Sequence, residues 1–225
     1  PNSLAVGHDF AYVTNATNDN ISVIDYRNHR IVKSIPIQPD AKLNAFRGYL
    51  PFGITLSPDE RTLYVALLGY NAVAVIDIAT AKTLGVIPTG WGPTRVKTSP
   101  DGKELYITSC RGLGAGPNGG AGFKEPLQGT YIGDIQLGTF QKVSVPDATE
   151  LARLTKQTNE QTHVTVSRTD DGKNPLPLKP DLRKSPIKYI VYITKENRTY
   201  DEIFGQFPEG RGDSTMARFG NNITI

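Results

Sequence analysis

Cysteine is nearly absent. Cys110 is the sole one in 225 residues, which excludes an internal disulfide, and its thiol is expected to be a small buried or half-buried group. Long apolar runs are missing too. No stretch approaches the roughly 20 residues of a membrane span, and the start lacks the charged region and apolar run of a signal peptide. The first residue is Pro1 rather than Met, so the chain is expected to begin at a processing site or a cut, with sequence upstream. Neither sign of charge dominates. The formal net charge is +3, with Lys and Arg scattered among Asp and Glu, and the lack of a basic stripe argues against a nucleic-acid partner. Helical amphipathic periodicity is absent from the first half, which excludes a helical solenoid. What remains is a chain with 38% hydrophobic and 21% charged residues. That is a globular composition, long enough for one large or two small domains.

An internal repeat organises the first half. Leu63-Tyr64-Val65 recurs as Leu105-Tyr106-Ile107, and the preceding Ser57-Pro58-Asp59-Glu60 recurs as Ser99-Pro100-Asp101-Gly102, both at an offset of 42. An earlier copy stands 52 residues upstream: Tyr12-Val13 against Tyr64-Val65, and Val23-Ile24-Asp25 against Val75-Ile76-Asp77. The ten extra residues fit the loop Pro39 to Leu50. Within one unit, Phe52–Ser57, Thr62–Ala66, Ala72–Asp77 and Thr83–Pro88 read as short strands, rich in β-branched and aromatic residues and punctuated by Pro, Asp, Asn and Gly. Four strands per period of about 40 residues is the arithmetic of a β-propeller blade. Tyr12-Val13-Thr14-Asn15 followed by Asn20-Ile21-Ser22-Val23-Ile24-Asp25 resembles the YVTN β-propeller repeat, over about residues 1–110. The resemblance implies a mainly β fold, a partial propeller of about three units. Pro1 is expected in the middle of a first strand. An open arc leaves faces and edges free for a protein partner or self-association. Blades host unrelated roles, so the repeat alone does not name a function.

After Ser109 the repeat breaks. Arg111 to Gly129 holds seven glycines but lacks the Gly-Lys-Ser/Thr ending of a phosphate-binding loop, so it reads as a loop inserted in a blade. Thr130–Ile135 and Gly138–Val145 read as two further strands that complete the third unit. Asp147 and Glu150 have capping-box spacing, with Leu151 and Leu154 on one face; this predicts a short helix leaving the propeller. Residues 157–186 carry Pro175, Pro177, Pro180 and Pro186 and read as an extended linker. His8 and His29 fall in turns and His163 in the linker, none with a metal-ligand partner at a telling spacing.

The chemistry is expected at the end of the chain. Ile187-Lys-Tyr-Ile-Val-Tyr-Ile-Thr194 has the length and composition of a buried parallel strand. Lys195-Glu196-Asn197-Arg198-Thr199-Tyr200-Asp201 follows directly, where ligands gather in open α/β sheets. Oxygen donors there suit a divalent cation, while the plainer alternative is a strand-to-helix turn capped by Asn197 or Thr199. Lys195 to Asp201, with Phe204-Gly205 after it, resembles the first metal-binding motif of the phosphoesterase family that includes phospholipases C and acid phosphatases, in the alkaline phosphatase superfamily. Gly210–Ser214 and Arg218–Asn221 continue in the pattern of its propeller-fused members. The likeness covers about residues 186–225 and is specific over Lys195–Gly205.

The resemblance implies a metal-dependent phosphoester hydrolase, periplasmic or extracellular. Glu196 and Asn197 would ligate a divalent metal (Zn, Ca, Mg or Mn). Asp201 would orient the ligands, and Arg198 would position phosphate or form a structural ion pair. The nucleophile and remaining ligands are expected beyond residue 225, since neither Ser214 nor Thr215 sits in the family's nucleophile context; the chain alone is then inactive. The implied organisation is blades over 1–147, helix and linker over 148–186, and the opening of an α/β phosphoesterase domain over 187–225. A non-enzymatic propeller module that binds protein, glycan or a cell surface is the alternative.

Overall fold

In a computed structural model of the chain, the described residues are 1–40, 47–112, 137–162, 186–194, 196–210, 212–218 and 220. They fall in two compact units, Pro1–Val164 and Thr165–Ile225.

The first unit is built from three antiparallel sheets. Strands β1 (Leu4–Val6), β2 (Phe10–Asn15), β3 (Asn20–Asp25) and β4 (Arg30–Pro36) form the first in sequential order. Strands β5 (Pro51–Leu56), β6 (Thr62–Leu67), β7 (Ala72–Asp77) and β8 (Lys82–Pro88) form the second, also in order. The third consists of β9 (Pro93–Thr98), β10 (Glu104–Ser109) and β11 (Thr139–Ser144), with β10 central. The repeat in sequence is a repeat in register: Tyr12 pairs with Val23 as Tyr64 pairs with Val75, and the ladder shifts at Val23/Ile24 and again at Val75/Ile76.

Side-chain oxygens make the turns repeat. Ser57 Oγ donates to Asp59 Oδ1 (2.6 Å) and accepts from the Thr62 amide (3.0 Å), while Asp59 Oδ1 also accepts from the Arg61 amide (3.2 Å). One period later Ser99 Oγ donates to Asp101 Oδ1 (2.5 Å) and accepts from the Glu104 amide (3.0 Å), and Asp101 Oδ1 accepts from the Lys103 amide (3.1 Å). The residue after each aspartate is left-handed, Glu60 at φ 55° and Gly102 at φ 71°. Asp25 and Asp77 act alike at the next corner. Asp25 accepts from the Asn28 amide (3.0 Å) and Asp77 from the Thr80 amide (2.7 Å), with His29 and Ala81 in the left-handed region behind them. Such turns are the usual work of short polar side chains.

The second sheet is buried on both faces. One face joins Leu63, Val65, Ala74 and Ile76 to Tyr12, Ile21, Val23 and Ile35 of the first sheet. The other joins Tyr64, Ala66, Val73 and Val75 to Val96, Leu105 and Ile107 of the third. This is why Thr62–Leu67 and Ala72–Asp77 are nearly continuous apolar runs, whereas β2 alternates. The innermost strands approach closely at Gly53, where a Cβ would lie 2.5 Å from the Thr94 carbonyl oxygen and 2.8 Å from Arg95 Cα. Two threonines tie the sheets, Thr14 Oγ1 donating to the Phe52 carbonyl (2.8 Å) and Thr98 Oγ1 to the Leu56 carbonyl (3.2 Å).

Several expectations need correction. The helix over Ala148–Thr162, here α1, does begin with Asp147 accepting from the Glu150 amide (2.8 Å). It does not lead away from the sheets, however. Leu151 enters the core between the second and third sheets, and Thr155 Oγ1 accepts from the Val86 amide (2.9 Å) on β8, where Gly85 leaves room for both side chains. Further along, Asn159 Oδ1 accepts from the Tyr70 hydroxyl (2.7 Å). An apolar stripe beside an outer strand is better buried than exposed, and the Thr155 hydroxyl satisfies an edge amide. The first strand starts at Leu4 and does not include Pro1. Cys110 is exposed, one residue past the end of β10 at Ser109. The expected strand 138–145 is found as β11; the one at 130–135, most of the glycine-rich segment and His163 lie outside the described residues.

Two outcomes follow. Replacing Gly53 with Val should lower unfolding free energy by about 2 kcal/mol or more in urea titrations, as overpacking at a close backbone approach does. The carboxyls of Asp25, Asp59, Asp77 and Asp101 sit below the ordinary range, held there first by the side-chain bonds from Asn28, Ser57, Thr80 and Ser99. The unfolded chain therefore takes up protons first as pH falls, and the stability these groups supply is present above pH about 4 and lost below it. Burial pushes the Tyr70 hydroxyl up to about 12, so a second loss should begin above pH about 10 as the unfolded tyrosine ionises. A thermal midpoint measured across pH should show both limbs, with the acid limb shallower for Asp59→Asn/Asp101→Asn.

Candidate functional site

The second unit holds every candidate site residue. Helix α2 (Tyr200–Phe204) is one and a half turns long and needs its ends fixed. Thr199 supplies a capping box: its hydroxyl accepts from the Glu202 amide (3.4 Å), and Glu202 Oε2 accepts from the Thr199 amide (3.2 Å). So Thr199, not Asn197, is the cap. The chain then folds back. Asp201 Oδ1 accepts from the Asp213 amide (2.9 Å), and Asp213 in turn caps a 3-10 turn at Ser214–Met216 by accepting from the Thr215 amide (2.9 Å). Gly205 permits this return, since a Cβ there would meet the carbonyl oxygens of both Asp213 and Asp201. Tyr200, Phe204 and Phe207 stack in sequence at 5.6 and 5.8 Å.

Charge concentrates on Glu202. Arg198 Nη1 lies 3.3 Å and Arg218 Nη1 3.5 Å from its Oε1. The Thr199 amide bond first, and the two guanidiniums after it, hold this carboxyl below its usual range. The Thr215 hydroxyl and amide do the same for Asp213.

The candidate residues thus divide. Arg198 takes the structural ion pair, and Asp201 spends an oxygen on the backbone of its own loop. Glu196 and Asn197 are exposed, and neither side chain makes a hydrogen bond or ion pair among the described residues. They offer one carboxylate and one amide oxygen, side by side. Two donors do not complete a shell of four or more, and among the described residues no group of three His, Cys, Asp or Glu could hold an ion. The described residues therefore do not by themselves form a metal centre. Sequence reasoning missed Glu202, Asp213 and Arg218; the Thr199–Glu202 spacing was the available signal for the first.

The run before this loop also departs from expectation. Residues 187–194 have no regular secondary structure, and Tyr189, Val191 and Tyr192 are 84–89% exposed. A strand exists through its ladder, and among the described residues nothing pairs with this one. In the first unit, an open apolar groove runs between β8, the end of β11 and α1, lined by Ile87, Val143, Val145 and Leu154. Its polar rim is already engaged, with Asp147 on the helix cap and Glu150 on Arg153 at 2.7 Å. No chemistry converges there.

Known proteins place the first unit. No family model matches the chain. A seven-bladed β-propeller protein of Mycobacterium tuberculosis, Rv1057, is 31% identical over 99 residues, which is 43% of this chain and 23% of that protein. The fold is that of a β-propeller. The β subunit of hydrazine synthase from Kuenenia stuttgartiensis is 38% identical over 117 residues, 40% of this chain and 29% of that one. The matches thus span about a quarter of each relative's length. Among solved structures, Kuenenia stuttgartiensis hydrazine synthase aligns with a TM-score of 0.41 at 36% identity, over 48% of this chain and 29% of that one. Virginiamycin B lyase from Staphylococcus aureus aligns with a TM-score of 0.37 at 20% identity, over 48% and 33% of the two chains. The three sheets are consecutive blades, and no helix among the described residues is long and apolar enough to cross a membrane.

The capping box should govern this loop. Thr199→Ala is expected to weaken α2 by about 1 kcal/mol. Amide exchange at Gly205, whose N–H donates to the Asp201 carbonyl, should accelerate while exchange in β6 and β7 stays unchanged.

Proposed function

We propose that the chain is part of a metal-dependent phosphoesterase in which propeller blades precede the catalytic domain. One observation carries this reading: the loop after residue 194 is held by its own capping box and backbone returns, yet leaves Glu196 and Asn197 exposed and uncommitted. A metal ligand pair must be left free of partners within its own loop, and these two side chains are. Asp201, locked to the Asp213 amide, fits a residue that sets the loop's shape rather than one that binds the ion. The substrate is a phosphoester, the metal a divalent ion, and the compartment periplasmic or extracellular. Glu196 and Asn197 supply two of the ligands; the rest, and the nucleophile, come from sequence outside these 225 residues. The exposed run 187–194 is then the first strand of a sheet whose neighbours lie in that same sequence.

A second reading, a propeller module without catalysis, is favoured by the ion pair of Arg198 with Glu202, which occupies the guanidinium that would otherwise meet phosphate. The two readings separate in one experiment on the longer protein. Release of phosphate from an aryl phosphate should require a divalent metal, and Glu196→Ala/Asn197→Ala should reduce it by at least about a hundredfold, as loss of metal-activated chemistry does. The 225-residue chain alone should show no turnover. No phosphate release by the longer protein would favour the module, and metal-independent hydrolysis or full activity in the double variant would overturn the role given to Glu196 and Asn197.

A further inference from the structure

The third blade stops one strand short. In the first two blades an aspartate turns the third strand into the fourth: Asp25 accepts from the Asn28 amide and Asp77 from the Thr80 amide, and β4 and β8 return alongside. Asp25 lies opposite Phe10, Asp77 opposite Thr62, and at the same register of the third blade Ser144 lies opposite Glu104. No aspartate turns the chain there. Val145 and Pro146 follow, and α1 then packs on β8 of the second blade. Among the described residues β11 has β10 as its one neighbour. The Val145 amide donates to the Lys103 carbonyl (2.8 Å). By alternation the amides of Gln141 and Val143 point at β10, and those of Phe140, Lys142 and Ser144 at the outer edge. A row of donors on a sheet edge is a template for a further strand. The apolar groove lined by Ile87, Val143, Val145 and Leu154 opens beside the same end of β11, and an added strand would bring side chains to it.

The joint to the following blade changes as well. Asp19 accepts from the Gly48 and Leu50 amides (2.7 and 2.9 Å) in front of β5, and Asn71 from the Gly92 amide (2.8 Å) in front of β9. Gly138 holds that position in the third blade and has no side chain to offer. Arg95 stands in register at the place of Gly53, and Lys97 and Lys142 at those of Thr55 and Val75. Gly53 is where a Cβ would strike the neighbouring strand, so the next blade does not dock on the third as the third docks on the second. Strand order says what is missing. The innermost strands β5 and β9 each come directly after the outermost strand of the blade before, β4 and β8. Blades stand around a central channel, so the first innermost strand of the ring bears the same relation to the last blade. We infer that the third blade closes the propeller ring, and that its fourth strand is the segment that precedes the ring's first innermost strand, N-terminal to these 225 residues. Strands β4 and β8 open on Arg30 and Lys82 and close on Ile35-Pro36 and Ile87-Pro88, and the closing strand should share that pattern.

This closure rests on the propeller fold alone and is read without hydrolysis, so it stands or falls apart from the phosphoesterase. The test uses the longer protein. Hydrogen exchange, read amide by amide, needs no substitution. Phe140, Lys142 and Ser144 should exchange within about tenfold of Gln141 and Val143, as amides of a strand paired on both sides do. Exchange of the three about a hundredfold faster or more would leave β11 at an edge and overturn the inference. The source of the strand is read by photocrosslinking from Ser144→p-benzoylphenylalanine, an exposed position beside the groove. Mass spectrometry should place the adduct within the same molecule, on a peptide N-terminal to Pro1 with a basic residue at its start and Ile-Pro at its end. An adduct with residues 187–194, with sequence beyond Ile225 or with a second molecule would overturn the inference.

Discussion

Everything in the first unit rests on the second blade having a partner on each face. A four-stranded sheet with one face in water needs only alternation, and β2 and β3 show it. The second blade gives up both faces, so its central strands become apolar throughout, and its stability is then inseparable from its neighbours. Burial at about 25 cal/mol per Å² rewards this only when the sheets come close. Closeness is limited by backbone atoms, not by side-chain choice. Gly53 removes the limit at the inner strands and Gly85 removes it under α1. Two glycines with different neighbours thus serve one purpose, and neither needs a left-handed backbone to justify it.

Register is the second condition, and here the aspartate corners matter. A slip of one residue would turn every buried side chain of β6 or β7 outward. Asp59, Asp77 and Asp101 each gather side-chain and amide hydrogens at the corner itself. They do so while exposed, so their value is geometric more than electrostatic. Glu60 shows a corner put to added use. Its backbone is left-handed like that of Gly102, but its carboxylate also accepts from the His8 amide at 3.0 Å with both oxygens, linking the first blade to the second.

This explains which parts of the structure were legible in the amino-acid sequence. Turn residues recurring at fixed offsets, with β-branched runs between them, report local geometry that tertiary packing only reinforces, so β2, β3, the four strands of the second blade and β11 emerged within a residue or two. The capped start of α1 was legible for the same reason. Its destination was not, because Leu151 and Thr155 look the same on a helix that packs as on one that departs. The run 187–194 is the converse case. Its composition states a preference for a buried sheet, and a preference without a ladder leaves Tyr189 and Tyr192 in solvent. At the candidate site, Thr199 and Glu202 were readable as a box by spacing, whereas the meeting of Arg198 and Arg218 on Glu202 depends on the fold-back through Gly205 and Gly212, which no local pattern announces.

Repetition also sets a standard against which exceptions gain meaning. Arg95 viewed alone is one exposed cation among many, and the net charge of the chain gives no hint of it. Viewed at the position of Gly53, it is a large charged group where the two earlier blades keep small or apolar residues for contact. The same comparison separates two kinds of departure. Glu60 in place of glycine keeps the corner and adds a tie between blades, so the fold absorbs it. Arg95, Lys97 and Lys142 together replace what the preceding blades use for packing, and the contacts they add are local, Lys142 with Glu104 at 2.8 Å and Arg95 with the Thr94 carbonyl at 3.4 Å.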